Sequence, residues 1–222
     1  ARLAQAAADR TACAPVRDVL GTEDLVAAYR VQQELVALRA ARGEHPVGWK
    51  IGLTSPAVQR QLGVDRPDFG VLLDSMAVPE GEEISSGSLI QPKIEAEIAF
   101  VLRADLAADD LNVDAVRHAV DHAVAALEIV DSRVQDWDIT ITDTVADNAS
   151  SALFTLASTR LTLDDFAPRD VSMRLYVDDA LVSEGNGAAC LGDPLNALLW
   201  LAETARDLGS PLRAGDVVLS GA

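Results

Sequence analysis

Residues 91–102, QPKIEAEIAFVL, constrain this chain more than any other stretch. The side chains alternate. Ile94, Ala96, Ile98 and Phe100 fall on one face, and Lys93, Glu95, Glu97 and Ala99 on the other. A period of two marks a β-strand, because successive side chains leave a pleated strand on opposite faces. The face of Ile94 reads as apolar. The other face also turns apolar past Glu97, at Ala99 and Val101. Two carboxylates thus point toward a partly buried place, where their charge needs a partner. At ~3.3 Å rise per residue their Cα atoms stand ~6.6 Å apart, so both carboxylates can converge on one cation. Taken alone, a Glu-x-Glu pair also suits a solvated strand face.

Glu128 adds a third carboxylate. It sits inside an apolar run, residues 125–130. Three glutamates meeting across neighbouring strands repel one another unless a dication sits among them. Oxygen ligands without His or Cys nearby point to Mg²⁺, with Mn²⁺ as the substitute, and away from zinc. The basic residues carry a second signal. Of 18 lysines and arginines, only Lys50 and Lys93 are lysine, the one with a compact, titratable head. Lys50 in GWKIG has apolar neighbours and close glycines, and Asp68 in RPDFG precedes a strand-like run. Facing a metal, such a pair transfers protons; the alternative is an ordinary salt bridge. Residues 143–154, DTVADNASSALF, place Asp, Asn and Ser in a polar turn beside an apolar strand. That composition suits a loop for a ligand carboxylate, or a plain Asx or Ser turn. His45, His118 and His122 form no constellation; His118 and His122 fall four apart on a helix whose face reads as exposed.

With 222 residues, 49% of them hydrophobic, the chain affords one sizeable domain with a full core. A net charge of −17 argues against nucleic acid and anionic membranes as partners. No apolar run approaches the ~20 residues of a membrane span, and no signal peptide is read in the first residues. Cys13 and Cys190 suggest neither a disulfide framework nor a metal cluster, so the expected compartment is the cytoplasm.

The element order is helical at first. A helix is expected over residues 1–12, and another from a Thr22 N-cap to Gly43. Strands follow at VGWKIGL, DFGVLLDSMAV, the Glu-x-Glu stretch, LEIVDSR and the last residues. Helices are expected at SPAVQRQLG with Ser55 as cap, across NVDAVRHAVDHAVAA, and at DPLNALLWLAETARDLG. A hairpin turns at Asp178-Asp179. This is no regular βαβα alternation, and it predicts an α+β fold with a mixed sheet. Residues 1–45 read as a helical N-terminal segment and 46–222 as a β-rich catalytic domain.

Six stretches in order, GWKIGLTS, PDFGVLLDSM, LIQPKIEAEIAFVL, EIVDSR, DWDITITDTVADNASS and GAACLGDPLNALLWLA, resemble the 2-keto-4-pentenoate hydratases of the fumarylacetoacetate hydrolase superfamily. The resemblance runs from about Leu20 to the last residue. It implies a mixed β-sandwich or roll wrapped by helices, and a homo-oligomer. It implies Mg²⁺ or Mn²⁺ on Glu95, Glu97 and Glu128, a catalytic pair Lys50 and Asp68, and a substrate carboxylate at Ser150 or Ser151. The reaction implied is addition of water to 2-hydroxypenta-2,4-dienoate, giving 4-hydroxy-2-oxopentanoate in aromatic catabolism. The related 4-oxalocrotonate decarboxylases share the Glu-x-Glu strand and VADNASS and form the alternative, although PDFGVLLDSM, DWDI and the DT before VADNASS look hydratase-like. A non-enzymatic, metal-stabilised binding protein is the other alternative; it has no need of Lys50 and Asp68. The sequence stops at VVLSGA, where the family continues through a Gly-Pro-Met turn and a further pair of strands, so a truncated C-terminal end is expected.

Overall fold

The computed structural model describes residues 1–221. Helices α1 (Arg2–Asp9), α2 (Arg17–Leu20) and α3 (Leu25–Ala40) open the chain. The cap of α3 is Asp24, whose carboxylate accepts the Ala27 N–H, and not the expected Thr22. The helix also stops at Ala40, short of Gly43. Asp caps at least as well as Thr, so the later residue starts the helix. Leu3, Val16 and Ala28 pack with Val134, Val145 and Ala146, and the N-terminal helices thereby share a core with the body.

The body runs β1 (Pro46–Gly52), α4 (Pro56–Leu62), β2 (Asp68–Leu73), β3 (Pro92–Leu102), α5 (Val113–Ala119), β4 (Val120–Asp131), α6 (Ile141–Ala146), β5 (Ser151–Leu156), β6 (Ser172–Val177), β7 (Ala180–Asn186), α7 (Pro194–Asp207) and β8 (Val217–Leu219). Ser55 caps α4, with Pro56 in its first turn, as the sequence predicts. Among the described residues, one mixed sheet has the order β2-β1-β8-β3-β4-β5. Strands β1 and β8 run parallel and the other neighbours antiparallel. The sheet curls into a half-barrel, and the fold is α+β as expected. Strands β6 and β7 form a separate hairpin. Its turn residues Asp178 and Asp179 have φ of 47° and 63°, the two successive positive angles of a tight hairpin turn.

The expected helix over NVDAVRHAVDHAVAA forms only over its first half. It ends at Ala119, and β4 begins at Val120. Strand β4 then pairs with β3 from Val120 opposite Leu102 to Asp131 opposite Pro92. That long pairing overrides the helical preference of its alanines, which is a weak local bias. His118 therefore stays on α5 while His122 moves to β4.

Helix α7 lays Leu198 and Leu201 against Ile51, Phe100 and Val218 of the sheet. The apolar face of β3 differs from expectation at its start. Phe100 is fully buried, but Ile94 is 54% exposed and its neighbour on the same face, Leu127 of β4, is 36% exposed.

Candidate active site

The antiparallel register of β3 and β4 sets Glu95 directly opposite Glu128, with Glu97 one alternation further along the same face. Glu97 and Glu128 are buried and Glu95 half-buried. One carboxylate oxygen from each lies within 4.8 Å of the others. The Gly221 N–H donates to Glu97 Oε2 at 2.7 Å. Glu97 Oε1 and both Glu128 oxygens lack a hydrogen bond of good geometry, although Glu128 Oε2 is ion-paired with Lys50. Burial first, then Glu128 and Glu95, push the Glu97 carboxyl well above its ordinary range. Burial likewise raises Glu128 to about 7 against the pull of Lys50. Orphaned, mutually repelling carboxylates with oxygen donors only are what a hard divalent cation fits.

Strands β1 and β2 bring the second pair of groups to this centre. Their register sets Gly52 opposite Asp68 and Lys50 opposite Gly70. The Lys50 Nζ lies 3.2 Å from Glu128 Oε2 and donates to the Ala149 carbonyl at 3.1 Å. The Thr144 hydroxyl donates to Asp68 Oδ2 at 3.3 Å. A Cβ on Gly52 would stand 2.2 Å from Asp68 Oδ1 and 3.5 Å from Lys50 Nζ. A side chain at position 52 would collide with Asp68, so glycine keeps the space beside both heads open. Burial works against the Lys50 ammonium, but Glu128, Glu95, Asp68 and Glu97 outweigh it, so its pKa is raised and the ammonium is the resting form. Burial raises Asp68, with Lys50 and the Thr144 hydroxyl opposing.

The polar stretch expected as a turn is α6 followed by a tight turn at Asn148–Ser150. Asp143 is not a ligand group. Fully buried, it accepts the backbone N–H groups of Val16 and Arg17 at 2.8 and 2.9 Å, the Arg17 guanidinium at 2.7 Å, and the Thr140 N–H and hydroxyl at 2.9 Å. It ties the N-terminal segment to α6. The Ser150 hydroxyl is buried without a partner. The Ser151 hydroxyl forms no bond of good geometry either, though it lies beside Glu128 and favours that carboxylate's ionised form.

Several supports were not apparent in the sequence. The Gln32 amide, on buried helix α3 surface, donates to the carbonyls of Phe69 at 2.9 Å and Val145 at 3.0 Å. Those residues adjoin Asp68 and its partner Thr144. Tyr29, Trp49 and Trp200 surround Phe69 at ring distances of 4.5, 5.6 and 6.4 Å. Arg133 Nε meets Asp147 Oδ1 at 2.6 Å behind the turn; burial lifts Asp147 to about 6 although Arg133 opposes it. Lys93 does not join Lys50: its ammonium lies 3.8 Å from the centre of the Trp137 ring. The histidines stay outside too, His45 against Asp74, His118 against the Asp114 carbonyl and His122 against Asp121.

A cavity of about 770 Å³ borders the centre at Glu97, Ser220 and Gly221. Ala96, Leu127, Phe166 and Met173 give it apolar walls, and Arg174, Ser172 and Asn186 add polar groups.

The curled mixed sheet thus gathers three glutamates that could hold a metal ion, with Lys50 and Asp68 buried beside them. A sequence profile described as Fumarylacetoacetate (FAA) hydrolase C-terminal matches residues 37–222. The chain is 55% identical, over all of its length and 85% of the relative, to a 2-keto-4-pentenoate hydratase of Burkholderia vietnamiensis. It is 53% identical to the TodF product hydratase of Pseudomonas putida, over 99% of this chain and 82% of that one. Among solved structures, 4-oxalocrotonate decarboxylase from Pseudomonas putida G7, complexed with magnesium and adipate, superposes with a TM-score of 0.94. There the identity is 33%, over 99% of this chain and 83% of the other. The chain belongs to the fumarylacetoacetate hydrolase family.

Proposed function

We infer that this protein is a hydro-lyase of aromatic catabolism that adds water to 2-hydroxypenta-2,4-dienoate to give 4-hydroxy-2-oxopentanoate. The observation that carries the reading is the convergence of Lys50 and Asp68 over Gly52 beside Glu128, together with 55% identity to a 2-keto-4-pentenoate hydratase. The decarboxylase reading is weaker, since that relative is 33% identical. A mere metal-binding protein would have no use for a buried proton-transfer pair.

Glu95, Glu97 and Glu128 would hold Mg²⁺, with Mn²⁺ as the substitute. Bound there, the cation supplies Lewis acidity toward the substrate's carboxylate and 2-oxygen. The chain's own groups move the protons. Hydration removes a proton from the 2-hydroxyl, delivers one to C5, places hydroxide on C4 and puts water's remaining proton on C3. Lys50, resting as the ammonium, is the donor. Asp68, held in the field of Lys50 and hydrogen-bonded by Thr144, is the acceptor that activates water. The Ser150 and Ser151 hydroxyls bind the substrate carboxylate.

The same reading makes the protein a cytoplasmic homo-oligomer acting on a small dienoate. The two cysteines are free thiols, in keeping with a reducing compartment. No helix among the described residues is long and apolar enough to cross a membrane. The test follows the ultraviolet absorbance of the dienoate. Protein with Mg²⁺ is expected to abolish it, EDTA to stop the loss and added Mg²⁺ to restore it. Full activity in metal-stripped protein would remove the carboxylate centre from the mechanism. Release of CO₂ from 2-oxohex-4-enedioate at a higher kcat/KM would instead establish the decarboxylase.

A further inference from the structure

Three successive residues after Asp147 have a backbone that L-residues avoid. Asn148, Ala149 and Ser150 have φ of 56°, 51° and 55°, where Cβ crowds the following carbonyl. Such a turn persists only when its surroundings over-determine it. Here the surroundings are an edge strand. β2 ends the sheet, and the outward-facing N–H and C=O of Val71 have no strand beyond them. The Asn148 side chain takes that place. Its Oδ1 accepts the Val71 N–H at 2.8 Å and its Nδ2 donates to the Val71 carbonyl at 2.9 Å. A Cβ on Gly70 would stand 2.4 Å from the Asn148 carbonyl, so the turn seats directly on the strand.

The turn's next two residues face the centre. The Ala149 carbonyl accepts the Lys50 ammonium at 3.1 Å, and the Ser150 hydroxyl is buried without a partner. We propose that Asn148 is a positioning residue: docked on the edge of β2, its amide locks the left-handed turn that aims Lys50 and Ser150. The inference rests on Lys50 being a proton-transfer group, but the clamp itself is independent of that role.

Two variants test it, with wild type measured beside them. Asn148→Gly removes the amide while making the left-handed backbone easier to adopt. Asn148→Asp keeps volume and the acceptor but sets a carboxylate against the Val71 carbonyl. In Asn148→Gly the Val71 amide is expected to exchange with deuterium at least about tenfold faster, while amides of β3 and β4 are unchanged. Its kcat is expected to fall about 10–100-fold, as in Asn148→Asp, because a misplacement near 1 Å has that effect. Calorimetric binding of oxalate with Mg²⁺, which needs mainly the glutamates, should stay within about threefold. Unchanged Val71 exchange, or a kcat within about threefold of wild type in either variant, overturns the proposal. Oxalate binding lost in proportion to kcat overturns it too, since that marks a centre disordered as a whole. Should wild type leave the dienoate untouched, the hydratase reading fails, while Val71 exchange still decides whether the clamp exists.

Discussion

Lys50 is 3% exposed and has four carboxylates acting on it. A permanent charge would satisfy that surrounding equally well, so Lys50→Arg separates charge from proton transfer. Arginine keeps the cation but does not give up its proton near neutral pH. We expect kcat to fall about 10²–10⁴-fold, the usual contribution of one positioned acid or base, with oxalate binding little changed. A rate within about threefold of wild type would reduce Lys50 to a charge anchor. The glutamates give a second expectation. Burial holds Glu128 near 7 and Glu97 well above its ordinary value in the metal-free protein. These raised carboxyls favour the folded state below their unfolded pKa, and that contribution is lost as pH rises through 7. Cation binding requires them ionised. Mg²⁺ affinity should therefore rise from about pH 6 to about pH 8, with protons released on binding. Calorimetry in buffers of different ionisation enthalpy reads both. Affinity flat across that range would show that the carboxyls are already ionised without metal.

At the scale of elements, the site is held by contacts that cross the chain. Gln32 of α3 reaches Phe69 and Val145, 37 and 113 residues away, and so fixes β2 and α6 to one another around Asp68 and Thr144. Gln32→Leu fills the space but leaves two buried carbonyls unpaired, at a cost of about 2–4 kcal/mol. For a chain of this size that lowers Tm by about 5–10 °C, and kcat should fall with it as Asp68 drifts. A variant with wild-type melting and turnover would show that the amide does no positioning. This helix also marks the limit of what the sequence made legible. Glu95, Glu97 and Glu128 were visible because each breaks an apolar pattern, and Lys50 because lysine is so rare here. Gln32 breaks no pattern: a glutamine on an amphipathic helix reads as solvent-facing, and only the partners reveal it as buried. Asp143 and Asn148 had the same defect, being polar residues in a polar stretch. The passage from α5 to β4 was hidden for a different reason. Alanine and valine at 119–126 suit either state locally, and the long pairing with β3 decides.

The whole molecule carries a net charge of −17, yet it exposes apolar surface that a monomer has little reason to show. Ile94 and Leu127 lie open on one sheet face, and Tyr176, Val177, Leu181 and Val182 of the β6–β7 hairpin are each about half exposed. Clustered exposure of this kind suits contact with further protein, and the proposed homo-oligomer would supply it. Two terms then oppose each other. Burial of apolar area favours association at about 25 cal/mol per Å², while the like charge of identical subunits resists it. Salt weakens only the second, since the Debye length shrinks to about 10 Å at about 0.1 M. Light scattering at micromolar concentration is therefore expected to give a mass that is a multiple of 23.5 kDa, with the larger species gaining population as salt is added. Hydratase activity per subunit should be retained in that species. A single 23.5 kDa particle at every salt concentration, or an assembly that dissociates as salt rises, would contradict this balance. The second result would mean that ion pairs, and not the apolar faces, join the subunits.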